Sequence, residues 1–206
     1  MTLFKNFKTY LAAAAIVTTS TSAMALSAGG LFVEPGVTYE SLDTNINWSA
    51  PFSDSTGSSK GLGVSARLGL HVGEIVFLAL DARYAKPTFS DSATDASNSA
   101  TSFNYGPVVG IQTPVVGLRV WGQYVLDGSY DPEKTSFMDY KFDQGSGYRV
   151  GVGMHVAVVS INLEYQDLKY KTSIQEFLST PVNTSLDKAD LSSKGFILGV
   201  SFPIEM

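Results

Sequence analysis

Residues 147–156 read GYRVGVGMHV, and apolar side chains occupy every second position of this stretch. Glycine, arginine and histidine occupy the alternate positions. Successive side chains of a β-strand point to opposite faces of the sheet, so the stretch predicts a strand with one apolar and one polar face. The apolar face carries Tyr148, Val150, Val152, Met154 and Val156.

The same alternation recurs along the chain and predicts eight strands in all. The other seven lie near residues 33–40, 61–72, 76–84, 104–112, 117–126, 160–166 and 195–202. In each of them, the alternate positions predicted for the apolar face contain no charged residue. Pro35 and Pro107 lie inside two of these strands, and since proline cannot donate to a sheet ladder, a bulge is expected near Pro107 and the register is open at both prolines.

The connections alternate between short and long. Tight turns are predicted at Gly73-Glu74, Thr113-Pro114 and Ala157-Val158. Long stretches rich in serine, threonine, aspartate and asparagine are predicted as loops at 41–60, 86–102, 127–145 and 168–193. Short turns at one end and long loops at the other describe an antiparallel up-and-down meander, and eight such strands can close into a barrel without exposed edges.

Aromatic residues on the apolar face indicate that this face meets lipid. They lie where each strand approaches its long loop, a level that suits the apolar body and polar tip of tyrosine at a membrane boundary. Only Leu62, in the second strand, interrupts the ring. The predicted girdle consists of Tyr39, Tyr84, Tyr105, Tyr124, Tyr148, Tyr165 and Phe196.

All four arginines of the chain fall on the polar face, together with four acids. An eight-stranded barrel is only wide enough for side chains to fill, and buried charges need partners, so a paired charge network is predicted inside the lumen. Arginine suits such pairing because its planar guanidinium carries five donors. The predicted network consists of Glu34, Glu40, Arg67, Asp81, Arg83, Arg119, Arg149 and Glu164.

Composition narrows the possible functions. The 206-residue chain has no cysteine, which excludes thiolate metal sites and thiol nucleophiles, and its formal net charge of -5 argues against binding nucleic acid. The first segment, Met1–Ala25, has the parts of a secretory signal: Lys5 and Lys8, a short apolar run, and Ala23-Met24-Ala25 as a cleavage site. The expected domains are therefore a signal peptide at 1–25 and a barrel at 26–206.

These features resemble the eight-stranded OmpA/OmpX-like outer-membrane barrels of Gram-negative bacteria. The resemblance implies an all-β, eight-stranded antiparallel transmembrane barrel with short periplasmic turns and four long extracellular loops. The last strand, from Ser193 to Val200, is similar to the signal that the barrel-assembly machinery recognises, although Phe202 is followed by four more residues. Outer-membrane lipid and lipopolysaccharide are the implied surroundings of a monomer, and Lys169, Lys171, Lys188 and Lys194 are candidates to contact lipopolysaccharide phosphates.

Two functions stand out among the alternatives. The first is a structural or surface-interaction barrel with a side-chain-plugged lumen, whose loops contact an extracellular protein or cell-surface ligand. The second is a narrow channel for ions or small solutes through the charged lumen. A carrier for small hydrophobic molecules, with Phe77 and Trp121 along its path, is a weaker alternative.

Catalysis, metal binding and a cofactor are not expected. His71 and His155 lie beside the short, periplasmic turns, the opposite end from that expected of a lipid-modifying enzyme. The acids of the third long stretch match no known calcium-binding spacing, so a solvated acidic loop is predicted there. These acids are Asp127, Asp131, Glu133, Asp139 and Asp143.

Overall fold

A computed structural model describes residues 30–48, 54–73, 75–92, 97–114, 117–133, 138–177, 180–181 and 189–206. The predicted signal peptide, Glu74 and Lys188 lie outside the described residues. Within the described part of the chain, no helix is long and apolar enough to cross a membrane.

The described residues form thirteen strands that build eight antiparallel segments of a closed barrel. The segments are β1 (Leu31–Trp48), β2 (Ser55–Val72), β3 (Val76–Asp91), β4 (Ser97–Gln112), β5 (Leu118–Val125) continued by β6 (Asp127–Pro132), β7 (Met138–Asp143) continued by β8 (Ser146–Val156), β9 (Val159–Tyr170) continued by β10 (Thr172–Phe177), and β12 (Ala189–Ser201) continued by β13 (Ile204–Glu205). The two-residue β11 (Thr180–Pro181) pairs with β10.

Consecutive segments pair with each other, and the first pairs with the last. β1 pairs with both β2 and β12, and β4 pairs with β5 to complete the ring of strands. Three residues separate β2 from β3, five separate β4 from β5, and two separate β8 from β9. The prediction of an eight-stranded, antiparallel up-and-down barrel is confirmed.

The prediction of long loops at 41–60, 86–102, 127–145 and 168–193 is wrong for most of their length, because strands occupy most of these residues. β1 continues to Trp48 and β2 begins at Ser55, while β6, β7 and β10 occupy much of the third and fourth long stretches. The polar stretches therefore prolong the barrel wall beyond the aromatic girdle. Strands were not predicted there because serine, threonine and asparagine on the two faces of a strand differ little in hydropathy.

The structure contains a bulge near Pro107, where one was expected. Val108 pairs with Gln123, but Tyr105 pairs with Asp127, so the strand opposite β4 contains one extra residue. Leu126 and Asp127 both face outward as a result. Around Pro35 the β1–β2 register continues without a break, from Glu34 opposite Arg67 onward. The bulge turns the side chains of β6 so that Tyr130 points into the barrel.

Candidate functional site

The lumen holds three layers of side chains, and the middle layer is charged. Arg119 donates to both carboxylate oxygens of Glu34, with Nη1 to Oε2 at 2.8 Å and Nη2 to Oε1 at 2.6 Å. Ser201 donates from its hydroxyl to Glu34 as well, and Asn162 accepts from Arg119 at 3.2 Å. Hydrogen bonds around this carboxylate thus join strands β1, β5 and β12 inside the barrel, and Asn162 adds β9 through Arg119 and Ser201.

Arg67 and Arg83 extend the charged layer across the lumen. Arg67 Nη2 lies 3.2 Å from Asp81 and 3.7 Å from Glu164, and its Nη1 lies 3.7 Å from Glu34. Arg83 donates from Nη2 to Glu164 at 2.6 Å. Each arginine is almost completely buried, so its charge is balanced by these carboxylates rather than by solvent.

Arg149 completes the charged layer and is fully buried. Its Nη1 donates to Gln123 at 2.6 Å, and its Nη2 donates to Asn104 at 2.9 Å and to Gln166 at 2.6 Å. Asp81 and Glu164 lie 3.7 Å from the same guanidinium. The sequence analysis did not predict these three amides. They accept hydrogen bonds from the buried guanidinium, whose carboxylate neighbours are too distant to accept them.

Glu40 stands apart from the other predicted network residues. It is 3% exposed, yet it forms no ion pair within 4 Å with any described residue, and its Oε1 has no hydrogen-bond partner there. The structure therefore brings seven of the eight predicted charges into contact and leaves this carboxyl beside them.

A cavity of about 10 Å³ lies within the charged layer. Thr38, Arg67, Asp81 and Arg83 line it, and each has a buried polar atom without a hydrogen-bond partner among the described residues. Such a volume admits about one water molecule.

The layer at the short-turn end is aromatic. Phe32, Phe77, Val108 and Trp121 form one buried cluster. The guanidinium carbons of Arg67 and Arg119 lie 5.0 and 5.5 Å from the centre of the Trp121 ring, so this ring separates the aromatic layer from the charges. Glycines make room for the large rings, because a Cβ added at Gly151 would overlap Trp121.

The layer at the opposite end is apolar and lies beyond the girdle. Its centre is Tyr130, whose hydroxyl lies 3.1 Å from that of Ser59, and burial raises the pKa of Tyr130 to about 12. This layer was not predicted, since all of its members except Val125 lie in the stretches interpreted as loops. Its buried members are Ile46, Ala100, Val125, Tyr130, Phe142, Leu168, Tyr170, Ala189 and Leu191.

The predicted girdle residues all lie on the outer surface of the barrel. Tyr165 is half-buried against Phe196, with ring centres 5.5 Å apart, while the other members are exposed. Tyr124 pairs directly with Tyr148 across β5 and β8. The ring centres of Phe103 and Tyr105 are 6.0 Å apart, so Phe103 adds an aromatic side chain that was not among the predicted girdle residues.

The two histidines lie at the short-turn end, as their sequence positions predicted. His155 Nδ1 is 3.0 Å from Ser160 Oγ, but this serine is completely buried. His71 Nδ1 lies 3.8 Å from Glu205 and its ring is 4.9 Å from that of Phe32. The described residues contain no group of three histidine, aspartate or glutamate side chains placed to hold a metal ion.

Comparison with known proteins gives a family match and several fold matches. The model of the family described as outer membrane protein beta-barrel domain matches residues 11–202. No curated protein matches the chain.

Three solved structures are similar to this chain. Ail, the attachment invasion locus protein of Yersinia pestis, in complex with the heparin analogue sucrose octasulfate, is 8% identical, with 85% of this chain and 99% of that chain covered and a TM-score of 0.46. OprG from Pseudomonas aeruginosa is 10% identical, with 86% and 97% covered and a TM-score of 0.49. Neisserial surface protein A is 14% identical, with 85% and 99% covered and a TM-score of 0.43.

Proposed function

The chain belongs to the outer membrane protein beta-barrel domain family, and from that premise we propose that it is a closed surface barrel whose extracellular wall contacts molecules outside the cell. The observation that carries this proposal is the filling of the lumen by three successive layers of side chains. A barrel that is blocked along its axis has its outer surface left for function.

Each of the three layers opposes passage through the lumen. An ion entering from the short-turn end meets the rings of Phe32, Phe77 and Trp121, which offer no ligand to replace its water. Beyond them the guanidinium and carboxylate groups are engaged with one another, and the cavity of about 10 Å³ has room for roughly one water. The apolar layer around Tyr130 and Phe142 closes the opposite end.

The extracellular wall supplies a rigid surface. Its strands continue for several residues beyond the girdle, and the outward side chains there include many hydroxyl and amide groups beside charged ones. Strands hold such groups at regular spacing, so the backbone loses little conformational entropy when a ligand binds. The exposed members on β1 to β4 include Ser41, Asn45, Asn47, Thr56, Thr88, Ser90, Ser97, Asn98 and Ser99.

Narrow conduction is the second candidate, and one observation favours it. Glu40 is a buried carboxyl without an ion pair among the described residues, and unpaired carboxyls attract cations. In this case the eight predicted network charges would set ion selectivity.

Single-channel recording in a planar bilayer separates the two functions. We expect no discrete steps from the refolded protein. A Trp121→Ala/Phe142→Ala variant, which removes one large ring from each apolar layer, serves as the matched control and should show more frequent or larger current steps. Reproducible steps from the unaltered protein would overturn the closed-barrel proposal, and heat-dependent electrophoretic mobility verifies that each sample is folded.

The surface function has a test of its own. Gram-negative cells that display the protein should adhere to cultured host cells or to other bacteria more than cells that display a variant with β6, β7 and β10 shortened to the level of the girdle. Equal adherence would contradict a contact role for this wall.

Other expectations belong to the same proposal. The barrel-assembly machinery recognises the segment Ser193–Val200, which forms most of β12, and the inserted barrel is a monomer surrounded by outer-membrane lipid and lipopolysaccharide. We propose no catalytic activity, since Ser160 is buried against His155 and a substrate has no access to its hydroxyl.

A further inference from the structure

The aromatic girdle has a gap at Leu62. This side chain is 71% exposed, the largest exposed fraction among the large apolar residues of the described chain. It pairs directly with Tyr39 of β1, so the gap lies beside an aromatic member of the girdle.

Two lysines lie at the extracellular side of this gap. Lys86 of β3 pairs directly with Leu62, and Lys60 is the next outward residue of β2. Lysines in such positions extend their ammonium groups to the headgroup level while their methylene chains cover apolar surface. Both are exposed, and neither forms an ion pair with a residue that the structure describes.

The surroundings of this pair differ from those of Lys141 and Lys194. The direct ladder partners of Lys60 are Ser41 and Thr88, which carry no charge. By contrast, Lys194 lies 3.2 Å from Asp167, and Lys141 lies 3.1 Å from Asp143. Asp43, an outward acid of β1, pairs directly with Lys194 and Ser58 rather than with Lys60.

We propose that Lys60, Lys86 and Leu62 form a binding site for a phosphorylated lipid of the outer leaflet. The two ammonium groups bind phosphate on the headgroup, and an acyl chain lies along Leu62 and Val64, where the girdle lacks a ring. The site rests on the position of the barrel in the membrane and not on the proposed contact function, so either can fail without the other.

Charge at a membrane surface sets the expected size of the effect. One lysine near an anionic lipid surface contributes about fivefold in affinity, so removing both charges should weaken binding by roughly thirtyfold. The contribution falls as salt is raised, because the site is exposed.

The experiment titrates fluorescent, doubly phosphorylated lipid A into the refolded full-length protein in detergent micelles. Lys60→Gln/Lys86→Gln removes the proposed site, and Lys169→Gln/Lys171→Gln removes two other exposed lysines as the matched control. We expect the first variant and dephosphorylated lipid A each to weaken binding at least tenfold, with the control variant within twofold of the unaltered protein. Leu62→Ser should weaken binding several-fold while both lysines remain.

Three results would overturn the proposal. Equal losses in the two lysine variants would show unspecific attraction between lipid and protein charge. Unchanged binding by Leu62→Ser would show that no acyl chain lies at the gap. Complete displacement of the lipid by low-millimolar inorganic phosphate would identify a free anion, rather than a lipid, as the occupant.

Discussion

Arg119 of β5 holds Glu34 of β1 by two hydrogen bonds, at 2.8 and 2.6 Å, between strands that lie on opposite sides of the barrel. The interaction therefore bridges the lumen. Both side chains are nearly inaccessible to solvent, so loss of either one leaves the other as a buried charge.

Arg119→Ala should lower the free energy of unfolding by about 3–5 kcal/mol, because Glu34 loses its two-point partner. Urea unfolding in detergent micelles, followed by tryptophan fluorescence, measures the change. Lys141→Ala is the control, since its pair with Asp143 is exposed and pairs of that kind contribute about 0–1 kcal/mol. An unfolding midpoint for Arg119→Ala equal to that of the control would contradict the bridge.

Val120→Arg should destabilise the inserted barrel by about 2–4 kcal/mol, because it places a charge on the lipid-facing side of β5. Reversible folding into lipid vesicles measures the cost. Ser99→Arg, outward on β4 but beyond the girdle, should change stability by less than about 0.5 kcal/mol. If the two substitutions had the same effect, the lipid-facing side would be wrongly assigned.

Thr38→Val should destabilise the barrel whereas Thr44→Val should not, although both hydroxyls are buried and have no partner among the described residues. Thr38 lines the cavity of the charged layer, where a water can bond to its hydroxyl, so its loss should cost about 1 kcal/mol. Thr44 lies between Leu42 and Ile46 on the inner face of β1, and its replacement should be neutral or stabilising. Stabilisation by both substitutions, measured by unfolding, would indicate a dry cavity.

Tyr130 should make the barrel less stable at high pH. Burial raises the pKa of its hydroxyl to about 12, from about 10 in the unfolded chain, so the folded state binds the proton more tightly. Stability is present below pH 10 and falls as the pH rises toward 12, since the unfolded state ionises first; the loss is roughly 2–3 kcal/mol.

Tyr130→Phe tests this dependence because it removes the ionisable group and keeps the ring. The difference in unfolding free energy between variant and unaltered protein should change between pH 10 and 12 and stay constant below pH 9. A difference that is constant throughout the range would show that the hydroxyl titrates alike in both states.

The end of the barrel opposite the short turns contains features that the sequence pattern does not predict. Tyr130 and Phe142 are buried there, but the breaks at Leu126 and at Gln144 shift the alternation in β6 and β7, and Gln144 has a φ of 57°. A pattern with period 2 loses its phase at every such break. The apolar layer was therefore concealed in stretches whose composition is typical of loops.

The surface lysines likewise have neighbours that the sequence alone does not predict. The fourth long stretch drew attention through its number of basic residues, yet Lys194 is engaged with Asp167. Lys60 and Lys86 lie far apart along the chain and become neighbours only because β2 and β3 pair in one register. Charge density along a sequence therefore does not reveal which cations of different strands become neighbours.

The sequence by itself determined the antiparallel order of eight strands and the face of each side chain within the predicted part of each strand, because the pleat makes orientation a local property that repeats every two residues. Only the tertiary structure decided which charges meet. Barrel closure and strand stagger set the heights at which opposite walls face each other, so Arg119 reaches Glu34 while Glu40 has no ion pair among the described residues. Such contacts across the lumen depend on every register around the ring at once, and no single stretch of sequence contains that information.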